Sequence, residues 1–422
     1  MSTLIYWFRQ DLRLADNPAL IQACEQAQAL LPVYCAAPQT STAWGFPRKG
    51  PHRQSIENAA VRALADQLKA KGSALLHVEG DPVEQLIALA RRLSVKKIIC
   101  ERIAAPEEEA QVDALRAAGL QVEDHWQSSL FALESLPMHV EELPDVFSSF
   151  RRSVEKAGTA SRQLLDAPAA LPGLPDGVTA EAIPSLSPPE TDPRSAFPYQ
   201  TPAFDGSEQS GREHLQRYFD RQLANSYKAT RNNLSAVDDS TKFSPWLALG
   251  SLSAPQIDQA LKVFEAAQGA NDSTYWIFFE LLWRDYFRFL HLKYGRRLYR
   301  ASGLNGGAVP NHNPQGFERW CRGDTGEALI DAGMRELAAT GYLSNRMRQI
   351  VASYLIHELK SDWRAGAAWF ESQLVDYDVY SNQGNWLYIA GHGTDPRGGR
   401  HFNTAKQAND HDADGRYRRL WG

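Results

Sequence analysis

The apolar residues of this chain change their spacing once along its length, and that change limits the folds open to it. Through the first 125 residues, short apolar runs (Leu4–Phe8, Leu31–Cys35, Ala74–Val78, Lys97–Cys100 and Gln121–Glu123) alternate with helical patterns such as Ser55–Ala70 and Pro82–Leu93. Short strands separated by helices predict a parallel sheet covered on both faces, an α/β doubly wound domain. The first strand is followed by Trp7-Phe8-Arg9-Gln10-Asp11-Leu12-Arg13, not by a G-x-G-x-x-G turn. A dinucleotide held in the usual way is therefore not expected here, and any ligand of this half would use side chains at the strand ends. After about Ser207 the pattern is almost wholly helical, with candidates at Gly211–Leu223, Ala254–Phe264, Tyr275–Tyr294, Glu327–Ala339, Asn345–Leu359 and Trp363–Leu374. Between the two, Leu165 to Asp205 carries nine prolines and reads as an extended connector. The expected organisation is an α/β domain over residues 1–130, a connector over 131–207 and an all-α domain over 208–422.

The chain of 422 residues has no run of about 18 apolar residues and no charged-then-apolar start, so a cytoplasmic protein without a membrane span is expected. Cys24, Cys35, Cys100 and Cys321 are widely spaced, which supports neither a disulfide framework nor a zinc site, and no metal is expected. Net charge is −5, but it is uneven: residues 1–210 carry 19 Lys and Arg against 27 Asp and Glu, and residues 211–422 carry 26 against 23. The second half could offer phosphates a basic face, or the excess could be ordinary solvated surface.

Four polar constellations stand out. Asp376-Tyr-Asp-Val-Tyr-Ser-Asn-Gln-Gly-Asn-Trp386 crowds carboxylates, carboxamides and rings into one stretch behind an apolar helix. It reads as a polar turn whose buried groups would hydrogen-bond the edge of a planar heterocycle, or as a helix N-cap with an Asx-turn. On Tyr275–Tyr294, residues Trp276, Glu280, Trp283, Arg284 and Phe287 share one helix face. That face could stack a flat base and hydrogen-bond its edge, or Glu280 and Arg284 could simply pair at i,i+4. Asn345 and Arg348, with Gln349 alongside, follow Ser344 as a candidate N-cap; Arg348 could be surface or could pair with the Asp376 region. Ser240-Thr-Lys-Phe-Ser244-Pro245 precedes a helix start, either binding phosphate there or capping the helix.

Taken in order, these segments resemble the photolyase/cryptochrome family over essentially the whole chain. The match includes Trp7–Arg13 with Asp16-Asn17-Pro18-Ala19-Leu20, Ser244–Gly250, Glu280–Tyr286, Asn345-Arg346-Met347-Arg348, the Asp376 stretch, and Asp395-Pro396-Arg397 with Phe402-Asn403. Leu143-Pro144-Asp145-Val146-Phe147 with Phe150-Arg151, Thr241–Ser244 and Ser381–Tyr388 are similar to the DASH cryptochromes within it. The resemblance implies FAD in the helical domain, with Tyr227 and Ser240, Thr241, Lys242, Phe243 and Ser244 around its phosphates and ribityl chain. Arg348 would pair with Asp376, Asp378 would accept from the ring N3–H, and Asn382 would sit at N5, with Arg284 and Asn345 completing the set. It also implies light-driven repair of cyclobutane pyrimidine dimers by a monomer acting on ultraviolet-damaged, mainly single-stranded DNA. Glu280, Trp283, Asn382 and Tyr388 would be catalytic, while Arg231, Glu280, Trp283, Asn345, Arg346, Gln349 and Gln407 would face DNA. The segment Arg284–Arg300 and the tail residues Arg397, Arg400, Lys406, Arg418 and Arg419 would track phosphates.

Electron transfer would run through Trp386 and Trp363. Pro310 replaces the expected outer tryptophan, which leaves Trp320, with Tyr354 behind it, as the exit. Met347 stands where relatives carry glycine, at an expected pocket rim. Glu101-Arg102-Ile103-Ala104 lacks a clear match to a folate-binding glutamate, so methenyltetrahydrofolate is a weaker expectation than FAD. The rival reading from another class is a blue-light photoreceptor without efficient repair; no NAD(P)H fingerprint supports a reductase.

Overall fold

The computed structural model describes residues 3–178, 183, 192–197 and 205–422. Five strands, β1 (Thr3–Phe8), β2 (Ala29–Ala36), β3 (Leu76–Glu79), β4 (Lys97–Glu101) and β5 (Gln121–His125), form one parallel sheet in the order β3-β2-β1-β4-β5. Helices α1 (Pro18–Gln26), α2 (Pro51–Ala70), α3 (Pro82–Arg92) and α4 (Pro106–Ala117) connect them. The strand period of two decides which helix meets which face. Leu4, Tyr6 and Phe8 of β1 pack with Leu20 of α1 and Leu64 of α2, while Ile5 and Trp7 pack with Leu86 of α3 and Leu115 of α4. Every strand named from the sequence is present, displaced by at most two residues at either end.

The helical half comprises α5 (Phe147–Ala157), α6 (Glu208–Asp220), α7 (Tyr227–Thr230), α8 (Ser244–Leu249), α9 (Ala254–Gln268), α10 (Asp272–Tyr294), α11 (Pro314–Arg322), α12 (Ala328–Thr340), α13 (Asn345–His357), α14 (Trp363–Gln373), α15 (Val379–Ala390), α16 (Thr404–His411) and α17 (Arg416–Trp421). One finding differs from the sequence reading. Helix α5 lies inside the span assigned to the connector: Phe147, Phe150 and Val154 are buried at helical spacing, and Gly158 closes the helix at φ 63°. Parts of the proline-rich stretch (179–182, 184–191 and 198–204) lie outside the described residues. Of the two readings of the Asp376 stretch, the helix N-cap holds from Asp378 onward: α15 starts at Val379, and Asp376 lies in a turn before it. Asp378 caps it by accepting from the Ser381 N–H at 2.8 Å; Ser381, Asn382 and Asn385 then face the cavities, while Gln383 turns away and donates to the Leu298 carbonyl.

The two halves share a core. Ile103, Ala104, Leu130 and Phe131 pack in one cluster with α10 residues Leu281, Tyr286 and Phe289. Polar bonds cross the same boundary: Arg13 donates to the Gly250 carbonyl at 2.8 Å, the Leu14 N–H to Glu208, and the Leu130 and Phe131 N–H groups to Asp285. Burial pushes the Asp285 carboxyl up to about 6, against the pull of those two N–H donors. Among the described residues, no helix is long and apolar enough to cross a membrane.

Candidate active site

The site is a cavity of about 370 Å³ walled by α10, α13, α8 and the start of α15. It gathers most of the residues singled out from the sequence. Tyr227, Arg231, Ser240, Thr241, Lys242, Phe243, Ser244, Glu280, Trp283, Arg284, Asn345, Arg348, Gln349, Asp376 and Tyr388 all line it. A smaller adjoining chamber of about 80 Å³ shares Asn345, Arg348, Gln349 and Asp376 and adds Asp378, Asn382 and Trp386. A third cavity, of about 320 Å³, shares Trp283, Phe287 and Tyr388 with the main one.

Helix phase explains who faces the cavity. On α13, Asn345, Arg348 and Gln349 are one turn apart and line it, held by the Ser344 cap, which accepts from the Met347 N–H. Met347 does not rim the pocket as expected. It points to the opposite side of α13 and is fully buried, close against Gly333 of α12. On α10, Glu280, Trp283, Arg284 and Phe287 line the cavity, but Trp276 does not; it packs on Phe279 at 4.4 Å and under the Arg231 guanidinium at 4.5 Å. Glu280 is paired, though not with Arg284: Arg231 donates to it at 2.8 Å from α7's C-cap. Burial pushes the Glu280 carboxyl up from the ordinary carboxylate range, with Arg231 opposing. Arg284 instead turns toward the backbone, donating to the Ser128 carbonyl at 2.5 Å, and burial beside Arg288 brings it down to about 10. Trp283 is fixed by a residue the sequence reading used only as a marker. Phe147 of α5 stacks on it with centroids 3.7 Å apart and planes 12° apart.

The floor of the site carries two ion pairs. Arg348 donates to Asp376 Oδ2 at 2.8 Å, as expected, while Asp376 Oδ1 is buried without a partner. Arg288, which sequence reasoning missed, donates to both Asp378 oxygens, at 3.3 and 2.8 Å, and is 2% exposed. Burial favours the neutral acid at Asp378, but Arg288, Arg284 and the Ser381 N–H outweigh it and hold the carboxyl well below its usual range. A charge at position 288 was legible; its partner ninety residues away was not. The Asn382 amide nitrogen donates to the Ala367 carbonyl at 3.0 Å, which leaves its carbonyl oxygen for a ligand.

The first turn of α8 has Pro245 but no side-chain cap, so the simple capping reading of Ser240–Ser244 fails. Lys242 sits in the left-handed region (φ 56°) and sends its ammonium to the Tyr342 hydroxyl at 3.0 Å. This donor set suits a flavin dinucleotide. Hydroxyls and cations meet a diphosphate at one end, and an orphaned carboxylate oxygen, a carboxamide and the Asp378 acceptor meet a hydrogen-bonding ring edge at the other.

Several expected DNA contacts are placed elsewhere. Gln407 is 8% exposed, packed under α16 outside the cavity, so it cannot present its amide to a strand. Arg346 is also outside the cavity, donating to Asn232 at 2.9 Å. The basic segment Arg284–Arg300 divides: Arg284 and Arg288 point inward, Lys293 pairs with Asp145, and Arg296, Arg297 and Arg300 are exposed. In the tail, Arg397 and Arg400 pair with Asp395, Lys406 with Asp410 and Arg418 with Asp412, while Arg419 donates to the Asp414 carbonyl. Carboxylates spaced two to six residues away take up the charge that the composition suggested was free.

The tryptophans also differ from expectation. Trp320 is fully buried, so it is no outer exit, and it meets Trp386 directly, with centroids 6.4 Å apart. Trp363 donates its indole N–H to the Ala301 carbonyl; no ring contact joins it to Trp386, or Tyr354 to Trp320, among the described residues. Glu101 is 1% exposed beside Arg9, Arg13 and Arg288, with its carboxyl raised to about 8 by burial and by Asp11, and it cannot face a second chromophore. A crevice of about 190 Å³ does open at the strand ends, lined by Arg9, Gln10, Lys49 and Glu108.

Residues 4–172 match the family described as DNA photolyase, and residues 276–421 match the FAD binding domain of DNA photolyase. The chain is 44% identical to Cryptochrome DASH of Xenopus laevis, over 99% of this chain and 82% of that protein. It is 42% identical to Cryptochrome DASH of Synechocystis sp., over 99% and 87%. A solved structure of Synechocystis cryptochrome superposes with a TM-score of 0.93 at 41% identity, covering 100% of this chain and 88% of that one. A bacterial class III photolyase from Agrobacterium tumefaciens gives 0.81 at 27% identity, covering 100% and 86%.

Proposed function

This chain belongs to the photolyase/cryptochrome family, on its DASH cryptochrome branch, and from that premise we propose that it is a light-dependent lyase of cyclobutane pyrimidine dimers in DNA, with a preference for single strands. The cofactor is FAD, which supplies light absorption and one electron lent to the dimer. The chain's own residues do the rest. Asp376, Arg348, Asp378 and Asn382 would hold the ring edge, and Ser240, Thr241, Lys242 and Ser244 would hold the diphosphate. The observation that carries the reading is the upper wall of the cavity. There Glu280, its carboxyl pushed toward the neutral form, lies on the same face as Trp283 and opposite Asn345 and Gln349. The Glu280 carboxyl, held in place by Arg231 at 2.8 Å, can hydrogen-bond the polar edge of a pyrimidine, and an indole held flat by Phe147 can stack a base turned out of its strand.

The strand preference follows from energetics. Turning a dimer out costs least where no partner strand must be unpaired.

Substitution at the upper wall tests the assignment. Trp283→Ala should weaken binding of a dimer-containing oligonucleotide by about 1–3 kcal/mol while leaving flavin content normal. Glu280→Gln should slow repair at normal flavin content. If both variants repair single-stranded dimers at the wild-type rate, the dimer does not bind here, and the photoreceptor reading gains.

A further inference from the structure

The tryptophan route expected from the sequence ends at Trp363, a buried indole whose outward neighbour is replaced by proline, whereas the packing around Trp386 opens a second path. Trp386 meets Trp320 of α11 and α12's neighbourhood at 6.4 Å between centroids, Trp320 meets Phe317 one turn earlier at 6.0 Å, and Phe317 meets Trp44 at 6.5 Å. Trp44 is the only indole on this line that is not fully buried, and it sits on the 41–47 loop of the α/β domain. We propose that Trp44 is the terminal electron donor for light-driven reduction at the flavin site, reached from Trp386 through Trp320 with Phe317 as a bridge. The proposal rests on the flavin reading above.

Charge and proton placement give the direction. A hole left on Trp386 can pass to Trp320, but neither indole can keep it: Trp320 lies in an apolar cluster with 0% exposure, where an unpaired charge is costly. The Trp320 N–H is also committed to the Val351 carbonyl at 3.0 Å, with no base to receive its proton. Trp44 is half-buried, so its radical cation is partly solvated and its N–H proton can leave to water. His312, 4.6 Å away between centroids, stands beside it. Overall one electron moves from Trp44 inward to the cofactor site, one proton goes to water, and an external thiol returns a hydrogen atom to the indolyl radical. The resulting thiyl radicals pair as disulfide. A competing exit at Trp369 needs two phenyl bridges, Phe317 and then Phe46, because no shorter ring contact joins it to Trp320 among the described residues.

The test uses the flavin-loaded protein under steady blue light with a dithiol, following loss of the oxidised-flavin band. Trp44→Phe and Trp320→Phe should each slow reduction several-fold at unchanged flavin load, Trp320→Phe with some loss of stability from its buried site, and Trp369→Phe should not slow it. A second readout does not depend on the flavin signal. After illumination without thiol, peptide mapping by mass spectrometry should find an oxidised indole at Trp44 in the wild type and lose it in Trp320→Phe. Normal wild-type reduction with an unchanged rate in Trp44→Phe, or the oxidation mark at Trp363 or Trp369 instead, would overturn the route alone. A wild type that binds flavin but is not reduced by light would overturn the reading beneath it as well.

Discussion

At Asp378 a helix cap, a buried ion pair and a cavity acceptor fall on one carboxylate. Removing that side chain therefore does more than remove a flavin contact. Asp378→Ala would strip α15 of its cap and leave Arg288 buried without its partner, a change that costs about 3–5 kcal/mol in comparable sites. Asp378→Asn keeps the cap and fills the same space, so it should fold better than the alanine variant yet still carry less flavin. Thermal unfolding together with the flavin-to-protein ratio separates the two effects; equal flavin loads in Asp378→Asn and wild type would remove Asp378 from the ring edge. The sequence made the crowding of carboxylates at 376 and 378 visible, since such groups need partners. It could not show that one partner is Arg288, because helix periodicity places a residue on a face but says nothing about which distant element that face meets.

Glu336 makes the same point in the absence of any ligand. It is fully buried on α12, accepts from the Tyr417 hydroxyl, and burial raises its carboxyl to about 8. A folded-state value above the unfolded one means the folded protein binds the extra proton between the two, so stability falls as pH rises from about 4.5 towards 8. Glu336→Gln should flatten that slope, unfolding several degrees higher than wild type at pH 8.5 but not at pH 5. An unchanged slope would mean that Glu336 loses its proton over the same pH range in the folded and unfolded chain, so that burial does not raise its carboxyl. Nothing in the spacing around Glu336 marked it beforehand.

Among the elements, the crossing of α10 and α15 sets the shape of the cavity. Gly384 lies against the Phe287 ring, and a Cβ there would fall well inside contact distance of it. Phe287 lines the main cavity, so the ring has no free direction in which to yield without narrowing the site. Gly384→Ala should destabilise the protein by about 1–3 kcal/mol, as overpacked cores do, and lower flavin retention; a variant with normal stability and flavin load would show the crossing to be loose. Helices α6, α9, α10, α12, α13 and α14 were legible from apolar spacing, and so was the cavity face of α13, whereas α5, α11, α16 and α17 were not named. For α15 the residues left a polar turn and a helix N-cap both open, because its cavity-facing residues are polar; the Asp378 cap decides for the helix. The same polarity that disguised the helix is what makes it useful against a ligand.

For the molecule as a whole, the boundary between the α/β and helical halves is structural rather than a flexible joint. Asp285, Arg284 and Arg13 bond across it, and the main apolar cluster draws residues from both sides. The segments that follow β4 and β5 therefore form the wall against which α10 packs, and α10 carries Glu280 and Trp283 into the cavity and Arg288 to Asp378. Fold class and the position of the sheet were readable because strand and helix periods are local. The pairing of basic tail residues with nearby carboxylates was not, since net charge counts residues without saying which are already neutralised. The central claim is that this arrangement splits pyrimidine dimers using light, and one measurement addresses it most directly. Flavin-loaded protein, chemically reduced, would be mixed with a single-stranded oligonucleotide carrying one cyclobutane dimer, and intact thymines counted after blue light or after darkness. The account predicts conversion only in the light, faster than for the same dimer in a duplex; a protein that binds and holds reduced flavin yet returns no intact thymines in the light would contradict it.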